Sequence, residues 1–221
     1  GRGRAGGVIT EVSKTRLKED RYNRGGGRGK NDYSEVTADL NKVFSHNTAL
    51  RVNLMQRDEG SFRSNPSTGS EPDIHRKGIG ISLGLNLHTD NQFWLNHYHL
   101  KTDDIPDYGI SFDAARRKVT KNFDADTFWG TNRNFDESDT QITTLVNELR
   151  LSPLSLLRTQ VRVADYERSY WARTPSATVA PNPQAVIPGN AGPTRAADYE
   201  TVTVQSDYST QFTVAGKEKE F

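Results

Sequence analysis

The sequence lacks cysteine altogether and holds a single methionine in its 221 residues. Without cysteine the chain forms no disulfide bonds and offers no thiolate to a metal. The lack of cysteine does not indicate in which cellular compartment the protein lies. It also lacks any apolar run that approaches the ~20 residues of a membrane helix. The first residues carry no apolar core of the signal-peptide kind, so they do not resemble a signal peptide, and any targeting signal is expected upstream of this sequence.

A net charge and a large apolar content are lacking as well. Lys plus Arg total 29 against 28 Asp plus Glu, so the formal charge is +1 and exerts no overall attraction on nucleic acid or anionic lipid. Hydrophobic residues make up 33% of the chain and the mean hydropathy is -0.78. The chain is therefore too polar to fill a hydrophobic core large enough for its length. The composition predicts either disorder or an architecture whose interior is polar.

Alternation with a period of two is the main feature that is present. In residues 78–88 apolar side chains alternate with small or polar ones, so the two faces of a strand differ in polarity. One face holds Ile79, Ile81, Leu83, Leu85 and Leu87, and the other holds Gly80, Ser82, Gly84, Asn86 and His88. Weaker alternation runs through residues 36–44, 49–56 and 157–164. The pattern predicts β-strands rather than helices.

The connections between these strands alternate in length. Tight turns are predicted at residues 45–48, 89–91 and 152–155, and long polar connections at residues 57–75, 102–139 and 167–197. Transmembrane β-barrels show this alternation because their turns are short on one side of the membrane and their loops long on the other. A polar lumen also explains the low apolar content. A soluble β-sandwich alternates too, but the loop lengths favour an all-β transmembrane antiparallel β-barrel.

Several motifs resemble one protein family. Residues 1–14 (GRGRAGGVITEVSK) resemble the last plug strand of TonB-dependent outer-membrane receptors, with Thr10 where the family usually has asparagine. The spacing of the first glycines also fits a dinucleotide-binding turn, but residues 8–14 are β-branched and alternating, which predicts a strand where that turn requires a helix. Further matches come in the family's order at residues 38–41 (ADLN), 76–83, 105–110 (IPDYGI) and 128–140. The last of these is typical of siderophore receptors, especially the ferric-catecholate members.

The resemblance implies a division into two domains. Residues 1–14 would be the C-terminal end of the plug domain, and residues 15–221 the N-terminal part of the transmembrane β-barrel. About nine strands are predicted after Glu19, whereas barrels with a plugged lumen use about 22. We therefore expect a partial structure, the first strands of a large plugged barrel. Residues 198–207 and 211–217 are expected to be successive strands joined by a shortened turn.

The resemblance also implies energised import of a ferric siderophore across the bacterial outer membrane, which the barrel crosses many times. Expected partners are the TonB-ExbB-ExbD system, acting through an N-terminal segment outside this sequence, the ferric siderophore, and outer-membrane lipid with lipopolysaccharide. No cofactor is expected apart from the transported chelate. Nucleic acid is not expected as a partner, although residues 21–30 resemble an RGG segment.

Other functions remain as alternatives at this point. Within the family, the cargo would be cobalamin or a glycan; outside it, the chain would belong to a passive porin or a structural outer-membrane barrel. Enzyme activity is not expected, because no nucleophile and base stand at a credible spacing.

The candidate ligand contacts are cations and flat aromatic side chains, which suit an anionic ferric chelate. Those in or beside the second and third long connections are Tyr108, Phe128, Trp129, Arg133, Tyr166, Arg168, Tyr170, Trp171 and Arg173. Aromatic girdles and loop packing require the same residue types, so these roles are the alternative for each of them.

Two further clusters are candidate binding sites. His97 and His99 share one face of a strand, but two ligands are too few for a metal site, so lumen or interface positions are predicted and no metal is expected. A basic stretch, formed by Arg116, Arg117, Lys118 and Lys121, suits lipopolysaccharide phosphates or an anionic chelate. A solvated loop is the default interpretation of this stretch.

Overall fold

Antiparallel strands account for the regular structure of the described residues. The computed structural model describes residues 18–66, 68–110, 112–113, 115–119, 124–130, 133–172, 192–214 and 217–220. Nine strands form one sheet in which each strand pairs with the next along the chain, and two short strands form a separate hairpin. No helix in this part of the chain is long and apolar enough to cross a membrane. The predicted all-β antiparallel fold is confirmed, whereas the predicted plug terminus, residues 1–14, lies outside the described residues.

The strands follow one another as an antiparallel meander. In the large sheet they are β1 Arg21–Arg28, β2 Ser34–Ser45, β3 Thr48–Glu59, β4 Asp73–Leu85, β5 Asn91–Ile105, β8 Phe135–Ser152, β9 Ser155–Trp171, β10 Thr194–Val214 and β11 Lys217–Glu220. The separate hairpin consists of β6 Phe112–Asp113 and β7 Lys118–Val119, and it lies within the connection from β5 to β8.

The two faces of the large sheet differ in exposure and in polarity. Residues paired across neighbouring strands share a face, so Leu83, Leu95 and Leu145, which pair in register, mark one of the faces. Large apolar side chains are exposed on that face, namely Leu54, Leu85, Leu95, Leu145, Val161 and Val163. The opposite face carries the buried strand residues, namely Asn41, Ala49, Arg51, Ser82, Asp104, Val146 and Ala164.

The sheltered face is therefore the polar one. A single sheet shelters one face only where it curls, so the polar face is the inside of the curve. A soluble sandwich would bury its apolar face against a second sheet. Here one apolar row stays on the outside across six strands, from Leu50 through Leu83, Leu95, Leu145 and Val161 to Val204. This arrangement is the wall of a transmembrane barrel, with lipid-facing apolar residues and a polar lumen face.

Several strands extend farther than the sequence pattern predicts. The long connections shorten to residues 60–72, 106–134 and 172–193, because the flanking strands run on into them. The ladder continues since each neighbouring strand offers backbone groups that need partners, as where Phe135 pairs with Trp171. A barrel strand needs only about 9–11 residues to cross a bilayer. The strands therefore project beyond the apolar band on the side of the long loops.

Two predicted boundaries are wrong. The strand predicted at residues 78–88 ends at Leu85, because Asn86 and His88 have positive φ angles of 52° and 65°, which suit a turn. The strands predicted at residues 198–207 and 211–217 are not separated: residues up to Val214 form the one strand β10, whose pairing with β9 continues to Thr210. No glycine or proline occurs in residues 206–211, so nothing in that stretch forces a turn.

Candidate functional site

A depression lies on the lumen face where the strands approach the long loops. Its volume is about 400 Å³, and its walls come from β4, β5, β8, β9 and β10. The lining residues are Arg76, Thr102, Asp104, Asp136, Ser138, Thr140, Tyr166, Glu167, Arg168, Arg195, Ala197 and Tyr199. We name it the arginine–tyrosine site after its most frequent large side chains.

The register of the sheet assembles this site from residues far apart in sequence. One row across five strands joins Arg76, Thr102, Ser138, Arg168 and Ala197. Because alternate residues of a strand share a face, residues two positions away in each strand line the same depression. Paired strands rather than loops therefore hold most of the lining side chains in place.

Two of the site's arginines are held by carboxylates. The Arg168 guanidinium donates two hydrogen bonds to Asp136, from Nε to Oδ1 at 3.0 Å and from Nη2 to Oδ2 at 2.7 Å. Arg76 Nη2 donates to Asp104 Oδ2 at 2.6 Å. The third arginine, Arg195, forms no ion pair with a carboxylate of the described residues. Within the part of the chain that the structure describes, it is the arginine of this site that an anionic ligand would meet without displacing a carboxylate.

Tyrosine rings form the second element of the site. Tyr166 and Tyr199, paired across β9 and β10, stack with their ring centroids 4.9 Å apart. Arg162 Nη2 donates to the Tyr166 hydroxyl oxygen at 2.6 Å, and this hydrogen bond fixes the hydroxyl end of the ring. A pair of stacked rings beside guanidinium groups offers a flat, electron-rich and cation-flanked surface, which suits a planar anion.

A further tyrosine reaches the site from the loop after β5. Burial raises the pKa of Tyr108, and the nearby Asp136 carboxylate raises it further, while Arg168 acts in the opposite direction. On the strand side, the Arg168 guanidinium lies 5.3 Å from the centre of the Tyr170 ring. Tyr108 therefore lies near the Arg168–Asp136 pair on the loop side, and Tyr170 contacts Arg168 on the strand side.

The structure brings together part of the predicted set of ligand contacts. Tyr166 and Arg168 line the arginine–tyrosine site, Tyr170 contacts Arg168, and Tyr108 lies near the Arg168–Asp136 pair. The sequence pattern predicts the β9 residues of this set at a long loop, whereas they stand within the strand because β9 continues to Trp171. Their role as ligand contacts stays a prediction.

The remaining predicted contacts lie elsewhere. Trp171 belongs to the outward-facing row with Phe135, and the Arg133 guanidinium lies 5.7 Å from its ring centre. Phe128 and Trp129 are packed inside the β5–β8 loop, with 1% and 2% of their surface exposed. Arg173 lies outside the described residues. Girdle and loop-packing positions thus account for the placement of these described aromatic residues.

The histidine pair and the basic stretch show no ligand geometry. His97 and His99 face outward with the apolar row, where His97 Nδ1 lies 3.0 Å from Thr143 Oγ1 and His99 Nε2 lies 2.8 Å from Asp139 Oδ1. The pair is therefore on the lipid-side face rather than in the lumen. In the basic stretch, Arg116, Arg117 and Lys118 are exposed, and Lys121 lies outside the described residues.

Sequence reasoning missed several residues of the site. These are Arg76, Asp104, Asp136, Arg195 and Tyr199, all of which stand in strands. Asp104, Asp136 and Arg195 fall within the predicted long connections, where only aromatic and cationic candidates were chosen from other positions, whereas Arg76 and Tyr199 lie outside those connections. The signal that could have found them is the alternation itself, which assigns each strand residue to the lumen face once one neighbour's register is known.

The two long loops beside the site pack on each other. Ser64 and Thr127 form a parallel bridge, and Phe128 N donates to the Ser64 carbonyl oxygen at 2.9 Å. The fully buried Asn65 side chain donates from Nδ2 to the carbonyl oxygen of Gly130 at 2.8 Å. Residues 60–72 and the described residues of 106–134 are therefore joined through buried polar contacts.

Gly130→Ala is expected to open this loop pair. A Cβ atom at Gly130 would lie 2.5 Å from Cζ of Phe128 and 2.8 Å from Nδ2 of Asn134, both of which are buried. Such overpacking costs about 1–3 kcal/mol, so we expect faster cleavage of the loops by protease added to intact cells. Gly80→Ala is the matched control, because its Cβ would meet only Asn53 Cβ at 3.8 Å. Equal cleavage rates for both variants would contradict the prediction.

Comparison with known proteins supports this description. No family model matches the chain. The chain is 30% identical over 150 residues to the probable TonB-dependent siderophore receptor PiuA of Acinetobacter baumannii, covering 66% of this chain and 20% of PiuA. It is 24% identical over 181 residues to the catecholate siderophore receptor Fiu of Escherichia coli, covering 77% of this chain and 23% of Fiu. The chain thus spans about a fifth of the length of these relatives.

The solved structures of the same two receptors share the fold. The crystal structure of PiuA matches with a TM-score of 0.75 at 23% identity and covers 92% of this chain and 29% of PiuA. The open form of Fiu matches with a TM-score of 0.73 at 21% identity and covers 91% of this chain and 33% of Fiu.

An antiparallel meander that is apolar outside and polar inside defines the class of outer-membrane β-barrels. Within that class, the chain is a fragment that resembles the TonB-dependent siderophore receptors, their ferric-catecholate branch included. It is a multi-pass segment of the bacterial outer membrane.

Proposed function

We propose that the complete protein binds a ferric siderophore at its extracellular side and imports it in a TonB-dependent step. The observation that supports this is the arginine–tyrosine site, which combines stacked rings with guanidinium groups on the lumen face. The chain would supply one side of the barrel wall and part of the binding surface. The relatives PiuA and Fiu are described as siderophore receptors, which supports a ferric siderophore as the cargo of this protein.

The geometry suits recognition without covalent chemistry. Catecholate arms of a ferric chelate are flat and carry negative charge, so they would lie on the tyrosine rings and pair with Arg195. Arg168 would exchange part of its bidentate contact with Asp136 for a ligand oxygen. We propose no catalytic step and no resident cofactor, and the ferric chelate is cargo.

Energy for passage would come from the TonB-ExbB-ExbD system, acting through segments outside this chain. The apolar rows of the outer face would be surrounded by outer-membrane lipid and lipopolysaccharide. These partners are part of the proposal and rest on the resemblance to the relatives.

Uptake of radiolabelled iron by iron-starved cells tests the proposal. Cells with and without the intact gene receive iron as a catecholate chelate and, separately, as a hydroxamate chelate. We expect loss of the catecholate-supplied uptake on deletion of the gene, and the same loss on deletion of TonB. Uptake that survives loss of TonB would indicate a passive porin instead, and unchanged uptake of both chelates would exclude a siderophore as cargo.

Arg168→Gln is expected to weaken uptake through the site. Loss of a charge-assisted hydrogen bond to the ligand costs about 1.5–3 kcal/mol, so the half-saturating chelate concentration should rise about tenfold or more. Arg158→Gln is the matched control, because Arg158 stands on the same face of the same strand and pairs with Glu148 at 3.5 Å. It lies roughly 33 Å along β9 from Arg168. Similar losses in both variants would point to a general effect on the barrel.

A further inference from the structure

One ion pair ties the two long loops together beside the site. Arg63 Nη1 donates to Asp107 Oδ2 at 2.7 Å, and Arg63 Nε donates to the carbonyl oxygen of Ala125 at 3.0 Å. The two charged side chains are partly exposed, with 20% and 25% of their side-chain surface accessible. A single guanidinium thus links the β3–β4 loop to both arms of the β5–β8 loop.

The second oxygen of Asp107 shapes the turn that carries Tyr108. Asp107 Oδ1 accepts a hydrogen bond from the backbone N of Gly109 at 2.8 Å. Gly109 has a φ angle of 99°, a conformation that residues with a side chain rarely adopt. One oxygen therefore fixes the turn around Tyr108, and the other fixes that turn to Arg63.

Tyr108 connects the Arg63–Asp107 ion pair with the arginine–tyrosine site. It stands between Asp107 and Gly109, whose φ angle is positive, and it lies near enough to Asp136 and Arg168 to interact with them electrostatically. Its place at the site is set by a loop contact, whereas Tyr166 and Tyr170 are held by strand β9. A loop residue needs such a contact, because no ladder of backbone hydrogen bonds orders it.

We propose that Arg63 and Asp107 are positioning residues, which fix the turn that carries Tyr108 and so hold Tyr108 near the Arg168–Asp136 pair at the ligand site. The inference rests on the proposed function only in treating that site as the place where the chelate binds. The proposal also assigns a role to three residues of the motif at residues 105–110. Asp107 pairs with Arg63, Tyr108 lies near the ligand site, and Gly109 forms the turn next to Tyr108.

A labelling experiment tests the positioning without any ligand. The sequence has no cysteine, so Tyr108→Cys in the complete receptor places one thiol of this segment at the site. Adding Arg63→Met is expected to speed maleimide labelling of that thiol on intact cells about fivefold, as for loss of one partly exposed ion pair. The control is Lys118→Met, which removes an exposed charge from the same loop. An unchanged labelling rate with Arg63→Met would overturn the proposal.

A double-mutant cycle in ligand binding separates positioning from a general structural role. With Tyr108 present, Arg63→Met should weaken binding of a ferric catecholate about fivefold and leave the maximal uptake rate unchanged. In a Tyr108→Ala receptor the same change should have no further effect. Charge reversal, Arg63→Asp with Asp107→Arg, should recover part of the binding. Equal weakening in both backgrounds would overturn the proposal.

The two experiments also keep the two hypotheses apart. A complete receptor that binds no ferric chelate would contradict the proposed function, whereas the labelling rates would still decide whether Arg63 holds the position of Tyr108.

Discussion

Leu145→Arg is expected to destabilise the complete receptor in a bilayer by about 2–4 kcal/mol. Leu145 lies in the middle of the apolar row, between Leu95 and Val161, and 46% of its surface is exposed on the outward face. In a membrane that exposed surface meets lipid, so an arginine there would place a charge in hydrocarbon. The same substitution on the surface of a soluble sheet would cost within about 0.5 kcal/mol.

A residue near the edge of the membrane supplies the control for this prediction. Leu154→Arg introduces the same charge in the short turn after β8, where Leu154 is 57% exposed. Near the edge of the membrane such a change costs about 0–1 kcal/mol. Both variants are compared with the parent protein by urea titration of folding into lipid vesicles. Equal costs at the two positions would contradict the assignment of the apolar row to the lipid.

The barrel wall was predictable because its pattern is local. Alternation in residues 78–88 indicates which face of the strand contacts lipid. Each short turn indicates that two consecutive strands are neighbours in the sheet. The strand ends were less predictable, since beyond the apolar band no lipid selects alternate residues. Residues 135–140 (FDESDT) read as loop by composition, yet they pair with β9 up to Trp171.

The site was predictable in residue type but not in place. Arginine and tyrosine near the long loops were expected, and four of the expected side chains do converge, but their carboxylate partners come from other strands. Asp136 meets Arg168 only through the pairing of β8 with β9. Phe128 illustrates the opposite error, because an aromatic residue in a loop reads alike whether it binds ligand or packs. Its burial depends on the close approach of Gly130.

The second large effect concerns an ion pair inside the lumen wall. Asp39, in the motif at residues 38–41, accepts two hydrogen bonds from Arg51 of the next strand, from Nε to Oδ1 at 2.8 Å and from Nη2 to Oδ2 at 2.7 Å. The side chains are only 15% and 9% exposed. The motif's alternate residues, Ala38 and Leu40, face outward with Leu54 and Val52. The motif therefore serves both faces of the wall at once.

Asp39→Leu is expected to destabilise the receptor by about 3 kcal/mol, since it leaves a largely buried guanidinium without its carboxylate. Arg51→Met should cost a similar amount by stranding the carboxylate. Because replacing both members of a buried pair by apolar residues is often close to neutral, the double variant should recover most of the loss. Urea unfolding of the three complete receptors in lipid vesicles measures the coupling. If the double variant were as unstable as the sum of the single ones, the two charges would contribute independently, and the motif's aspartate would need another explanation.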